Sequence, residues 1–147
     1  MEPPKGTYVF RHKSWEPVVE IESNGLIYAM PVACGHFDRV FRFAISESEF
    51  EILKSDAERR YFLYAVLHSR YQTKQKAAEV AGTLQNDSHF QRILFGSVED
   101  VVNLLNLRDA ESNGAVSNLA GTLLGREQQT MRDGSWFSDQ EKRTRGR

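Results

Sequence analysis

The stretch from Ser46 to Gln72, SESEFEILKSDAERRYFLYAVLHSRYQ, constrains the fold more than any other part of the chain. It is the longest run with a helical period. Its second half is apolar nearly all round, since Tyr61, Phe62, Leu63, Tyr64, Ala65, Val66 and Leu67 follow one another without a charged break. A helix with so little polar face must be surrounded by protein. The segment is therefore expected to be the central core helix. It also carries two start signals. Ser46 with Glu49 makes a capping box, in which the hydroxyl accepts from a free N–H of the first turn and the glutamate reaches back. Ser55 with Glu58 repeats the pattern. The spacing predicts a short helix, a break near Ser55–Asp56, and a longer helix to about Gln72.

Before Ser46 the period is two. Thr7 to Lys13 reads as a strand, with Tyr8, Phe10 and His12 on one face. Pro17 to Val32 holds two apolar runs flanking Asn24-Gly25, the preferred pair for a two-residue type I′ hairpin. That turn pairs Ile21 with Tyr28 and Val19 with Met30. Leu26, Tyr28 and Met30 then share a face with Val19 and Ile21. Glu20 and Glu22 fall on the other face, within reach of Arg11 and Lys13. Cys34 to Asp38 is a loop. Arg39 to Ile45 is a fourth strand, with Phe41, Phe43 and Ile45 inward and Arg42 outward. The expected class is α+β: a four-stranded antiparallel meander followed by a helical segment packed on one face.

After Gln72 the chain is helical. Lys74 to Leu84 forms one helix. Residues 88–95 form another, with Ser88 and Gln91 as a capping box; a buried strand is the alternative, because periodicity does not separate the two in so short a run. Ser97 caps an amphipathic helix with Val98, Val101, Val102 and Leu105 at i, i+3, i+4 and i+7. Ala115 to Leu124 forms one more, interrupted by Gly121. The pattern divides the chain into a core domain at 1–107 and a C-terminal extension at 108–147, partly helical or loosely docked. Trp136-Phe137 is the anchor within that extension.

Composition excludes some functions. A net charge of −1 creates no whole-chain field to draw nucleic acid or an acidic membrane. The single cysteine, Cys34, forms no intramolecular disulfide and suits a reducing cytoplasm. The amino terminus lacks an apolar signal core, and no run approaches the ~20 apolar residues that span a bilayer. The expectation is a cytoplasmic protein without a membrane partner.

Candidate chemistry is sparse. Cys34 and His36, with Asp38 as the nearest orienting group, are a thiolate pair in spacing alone. His12, His36, His68 and His89 show no metal-ligand spacing. Gly121 to Gly125 lacks the lysine of a P-loop. No catalytic residue, metal or cofactor is assigned, and the chain is read as a binder, not an enzyme. Arg59, Arg60, Arg70, Lys74 and Lys76 form a basic group with Tyr61, Tyr64 and Tyr71 interleaved. With Lys142, Arg143, Arg145 and Arg147 it makes a nucleic-acid-binding or regulatory module the alternative reading. The main candidate is acidic: Glu47, Glu49, Glu51, Asp56 and Glu58 fall within twelve residues. First-turn glutamates stabilise a helix by roughly 0.3–1 kcal/mol, and the same group suits a basic protein partner.

The run FAISESEF (Phe43–Phe50), continuing through Leu53–Asp56 and Arg59–Leu63 to His68, resembles immunity proteins of bacterial polymorphic toxin systems, including contact-dependent inhibition. Size and the strands-then-helices order are similar too. The resemblance implies a small cytosolic protein that plugs or covers a secreted toxin domain, often a nuclease. It carries no binding residues over to this chain.

Overall fold

The change of period at Ser46 is a change from sheet to helices in the computed structural model of the chain, which describes residues 6–10, 16–23, 25–34, 37–73, 84–85 and 87–138. Four antiparallel strands come first: β1 (Gly6–Val9), β2 (Val18–Glu22), β3 (Gly25–Cys34) and β4 (Phe37–Ile45). Among the described residues six helices follow: α1 (Glu47–Ser55), α2 (Ala57–Thr73), α3 (His89–Phe95), α4 (Val98–Glu111), α5 (Ala115–Leu124) and α6 (Gln128–Arg132). Between α2 and α3, β5 (Leu84–Gln85) joins the sheet parallel to β4. The class is α+β. Of the expected helix at Lys74–Leu84, all but Leu84 lies outside the described residues, as do Arg11 and Lys13. No helix among the described residues is long and apolar enough to cross a membrane.

The hairpin register differs from expectation by two residues. Val19 lies opposite Tyr28 and Ile21 opposite Leu26, and Glu22 pairs with Gly25. Gly25, at φ +153°, therefore belongs to β3 and not to the turn. A shift by an even number leaves every side chain on its original face. Burial alone does not distinguish the two registers. Val19, Tyr28, Met30, Val32, Phe41 and Phe43 turn to the helices and are buried. On the opposite face Arg42 pairs with Glu20 at 3.1 Å.

The helix starts are set by side chains. Ser46 and Glu49 make the reciprocal box, with Glu49 N–H donating to Ser46 Oγ at 3.0 Å and Ser46 N–H to Glu49 Oε1 at 2.8 Å. The second box does not form. Ser55 ends α1, and its hydroxyl donates back to the Glu51 carbonyl at 2.8 Å. Asp56 takes its place, accepting the Arg59 N–H at 3.1 Å. A carboxylate one residue nearer the helix makes the same bond that Ser55 would have made. At α3, Ser88 makes no side-chain cap bond, and Asp87 accepts the His89 N–H at 2.9 Å instead. Ser97 caps α4 through the Asp100 N–H at 3.1 Å.

α2 runs through the middle. Tyr61 to Leu67 are all buried. The helix lies over β3 and packs against α1, α3, α4 and α5. An aromatic layer of Tyr28, Phe41, Phe43, Tyr71 and Phe90 fills the space between sheet and helices, with centroids 5.0–6.1 Å apart. Phe62 meets Trp136 and Phe137 edge-on, at 5.8 and 5.1 Å. Residues beyond 107 thus reach the same core as the strands. Arg126 fastens them by donating to the carbonyls of Ser135, at 2.7 Å, and Trp136, while Trp136 Nε1 donates to Asn106 at 2.7 Å.

α5 is continuous through Gly121. A methyl on Gly121 would stand 2.7 Å from the Arg126 carbonyl oxygen, so glycine here permits close approach of the returning chain.

Two stability outcomes follow from this packing. Phe62→Ala removes a fully buried ring that packs on Trp136 and Phe137 and is expected to cost about 3–5 kcal/mol in denaturant melts; a loss below about 1 kcal/mol would mean that the core closes without it. Gly121→Ala is expected to destabilise by about 1–3 kcal/mol through overpacking. No change on that substitution would show that the 126–128 segment moves aside freely.

Candidate partner-binding surface

α1 has a stripe at helical spacing: Glu47, Phe50, Glu51 and Lys54 at i, i+3, i+4 and i+7. Phe50 meets Tyr8 of β1 edge-on at 5.3 Å. The Lys54 ammonium lies 4.4 Å from the Phe50 ring and 6.0 Å from Tyr8. The stripe therefore runs beside β1, the last strand on its side of the sheet among the described residues. All four residues of β1 are exposed, Tyr8 by 38% and Val9 by 39%. The outer edge of such a strand offers backbone donors and acceptors to another chain.

Helix geometry splits the five acids of the 47–58 run. Glu47 and Glu51 are exposed. Glu51 meets Lys54 at 2.8 Å and stays mostly in solvent. The other three turn inward. Glu49 is buried, closing the Ser46 box and accepting from Gln91 Nε2 at 2.9 Å. Asp56 caps α2 and pairs with Arg59 at 3.3 Å. Glu58 accepts the Ser138 N–H at 2.8 Å and pairs with Arg126 at 3.3 Å.

The basic group is likewise turned inward where it is described. Arg59 is buried, and its Nη1 donates to the carbonyls of Ile93, Leu94 and Gly96 at 2.8, 3.3 and 2.9 Å. A guanidinium thus closes the C-terminus of α3, where cations are favoured. Arg60 lies 4.9 Å from the Phe10 ring and 4.7 Å from Tyr61, and donates to the Leu53 carbonyl at 2.9 Å. Arg70 stands 3.9 Å from Asp87. Lys74, Lys76 and the basic residues of 142–147 lie outside the described residues. Of the thiolate pair, Cys34 ends β3 opposite Phe37, and His36 lies outside. His68 is half-buried against Tyr64, and burial lowers its pKa from 6.5.

One polar network has no counterpart in the sequence reading. Asp87 Oδ2 accepts from the Tyr71 hydroxyl at 3.1 Å, and Oδ1 bonds His89 Nδ1 at 2.7 Å. Arg108 Nε donates to His89 Nε2 at 3.1 Å. Nε2 is thus the acceptor, and the ring proton sits on Nδ1, directed at Asp87. The chain ties the end of α2 to the start of α3 and to α4. Burial pushes the Asp87 carboxyl up, but hydrogen bonds from His89 and Tyr71 outweigh it and hold the group below its ordinary 3.8. Burial and the Asp87 charge push Tyr71 up to about 12. The available signal was Asp-x-His at a helix start.

Comparison with known protein families, curated proteins and solved structures finds no match.

The Asp87 clasp sets an acid limit. Its folded value is depressed, so its contribution is complete above pH 3.8 and is lost as pH falls through the folded value. The stability gap between the native chain and Asp87→Asn, followed by urea melts against pH, is expected to be wide at neutral pH and to close in acid. A gap that stays constant to the lowest pH would show that the charge does not hold the clasp.

Proposed function

We propose that this chain is a cytoplasmic protein-binding module that works by occlusion and not by catalysis, in its most specific form an immunity protein covering a basic toxin domain. The observation that carries this is the surface where β1 and α1 meet. An exposed edge strand, an aromatic pair (Tyr8 and Phe50) and two outward carboxylates (Glu47 and Glu51) lie side by side. Edge strands pair with other chains. Aromatic side chains supply contact area, and acids beside them favour a basic partner. Glu49, Asp56 and Glu58, the rest of the acidic group, support the surface from within by fixing α1 and α2. The likeness of the 43–68 run to immunity proteins supports the same reading.

The test starts with the neighbouring gene. A secreted protein with a variable C-terminal toxin domain is expected beside this one, and co-expression of the chain is expected to protect cells from that domain. Glu47→Lys with Glu51→Lys is expected to slow association by about tenfold at low salt. Folding should be unaffected, since the exposed Glu51–Lys54 pair is worth only about 0.2–1 kcal/mol. If a neighbouring toxin domain kills unimpeded, or if no such domain is encoded and none binds, the proposal fails.

A further inference from the structure

A second surface lies on other elements and is independent of the β1–α1 surface. A groove of about 400 Å³ runs between the end of α3 and the flank of α4, lined by Arg92, Gly96, Asp100, Asn103, Leu104 and Leu107. Asp100, Asn103, Leu104 and Leu107 are one stripe of α4 at i, i+3, i+4 and i+7. Leu107 is 51% exposed, and Phe95, between Arg92 and Gly96, is 44% exposed. These are the two most exposed large apolar side chains among the described residues. At Gly96 the chain packs closely on itself, since an added methyl would stand 2.3 Å from the Arg92 carbonyl oxygen and 3.2 Å from Val101 Cγ2. On the rim, Arg92 and Asp100 are exposed charges of opposite sign, and neither forms an ion pair among the described residues. Helix dipoles account for their places, a cation in the last turn of α3 and an anion in the first turn of α4. Dipoles do not account for Leu107 and Phe95 standing in water beside them.

We propose that this groove is the interface of a two-fold homodimer. The groove is self-complementary. It carries one cation, one anion and apolar knobs. Turned about a two-fold axis it meets itself, so that each contact occurs twice with the roles exchanged. Antiparallel packing of α4 on its copy about Asn103 and Leu104 brings Leu107 of each copy toward the Asp100 and Gly96 end of the other. Arg92 of each copy then faces Asp100 of the other. A toxin or any other unrelated partner would have to match both charge signs separately; a second copy matches both by symmetry.

The experiment is sedimentation equilibrium on the full chain over a roughly hundredfold range of concentration, with circular dichroism to show that each variant is folded. The native chain is expected to dimerise. Arg92→Asp alone and Asp100→Arg alone are each expected to weaken the dimer by at least about tenfold, because like charges meet across the axis. Mixed in equal amounts, the two variants are expected to regain dimer at native affinity, since one then carries two acids in the groove and the other two bases. Leu107→Glu is expected to abolish it. A native chain that is monomeric throughout leaves the groove to another occupant and overturns the proposal. So does a dimer indifferent to both charge reversals, or a mixture that stays monomeric.

Discussion

The structure depends on the burial of α2 on every side. Seven consecutive residues, Tyr61 to Leu67, are removed from water. No amphipathic arrangement does this, because one turn of helix samples every direction. Such a helix is stable only when walls exist all round it, and each wall is supplied by a different part of the chain. The sheet is one wall. α3, α4 and α5 make others, and Trp136 and Phe137 close the space beyond Phe62. A chain that ended after α4 would leave Phe62 facing water. The 135–138 segment is therefore part of the condition for folding α2, and Arg126, Glu58 and Asn106 hold it in place.

A helix without a polar face also places its charges at its ends, where they serve as ties between elements. Asp56, Glu58, Arg59 and Arg60 occupy the first turn of α2 and the residue before it. Arg59, Glu58 and Arg60 contact the α3 terminus, the 135–138 segment and the end of α1, and Asp56 caps α2 and pairs with Arg59. Arg59 shows the gain most clearly. α3 ends at Gly96 with φ −68°, without the left-handed turn that usually satisfies terminal carbonyls. The guanidinium takes those carbonyls instead. Charges used in this way are unavailable to a partner, which moves the candidate surface from the whole acidic run to Glu47 and Glu51.

The sequence made some of this legible. Ser46 with Glu49 predicted the start of α1, and the change of period predicted the order of sheet and helices, because both are local. The hairpin register differs from the expected one by two residues, since alternation is blind to even shifts. Ser55 was mistaken for the cap because Asp56, its neighbour, offers a better acceptor. The acidic run looked like one face because spacing along the chain does not say which side of a helix a carboxylate takes once Gln91 or Ser138 arrives to meet it. The Tyr71–Asp87 and His89–Arg108 links of the clasp and the Arg59 cap join residues 16–37 apart in sequence, and beyond Asp87-x-His89 no local pattern reports them. Leu107 was visible in principle. It stands out of phase with Val98, Val101, Val102 and Leu105, and an apolar residue out of phase on an amphipathic helix faces water unless something covers it.

The small net charge bears on how the β1–α1 surface would work. At −1 overall the chain has little far field, and at physiological salt exposed charges are screened beyond about 8 Å. Glu51 is further offset by Lys54 at 2.8 Å. Two carboxylates of this kind would orient the proposed basic partner during the last steps of approach and would not draw it in from a distance. Tight binding must then come from short-range contact, and the means at hand are the backbone edge of β1 and the Tyr8–Phe50 pair. Tyr8 is anchored from behind by Phe10 and Phe50, at 5.2 and 5.3 Å. Its ring is therefore largely fixed before a partner arrives, which reduces the ordering cost of association. In the proposed complex the division of labour is physical: the carboxylates would select the sign of the partner, and a pre-ordered aromatic edge would hold it.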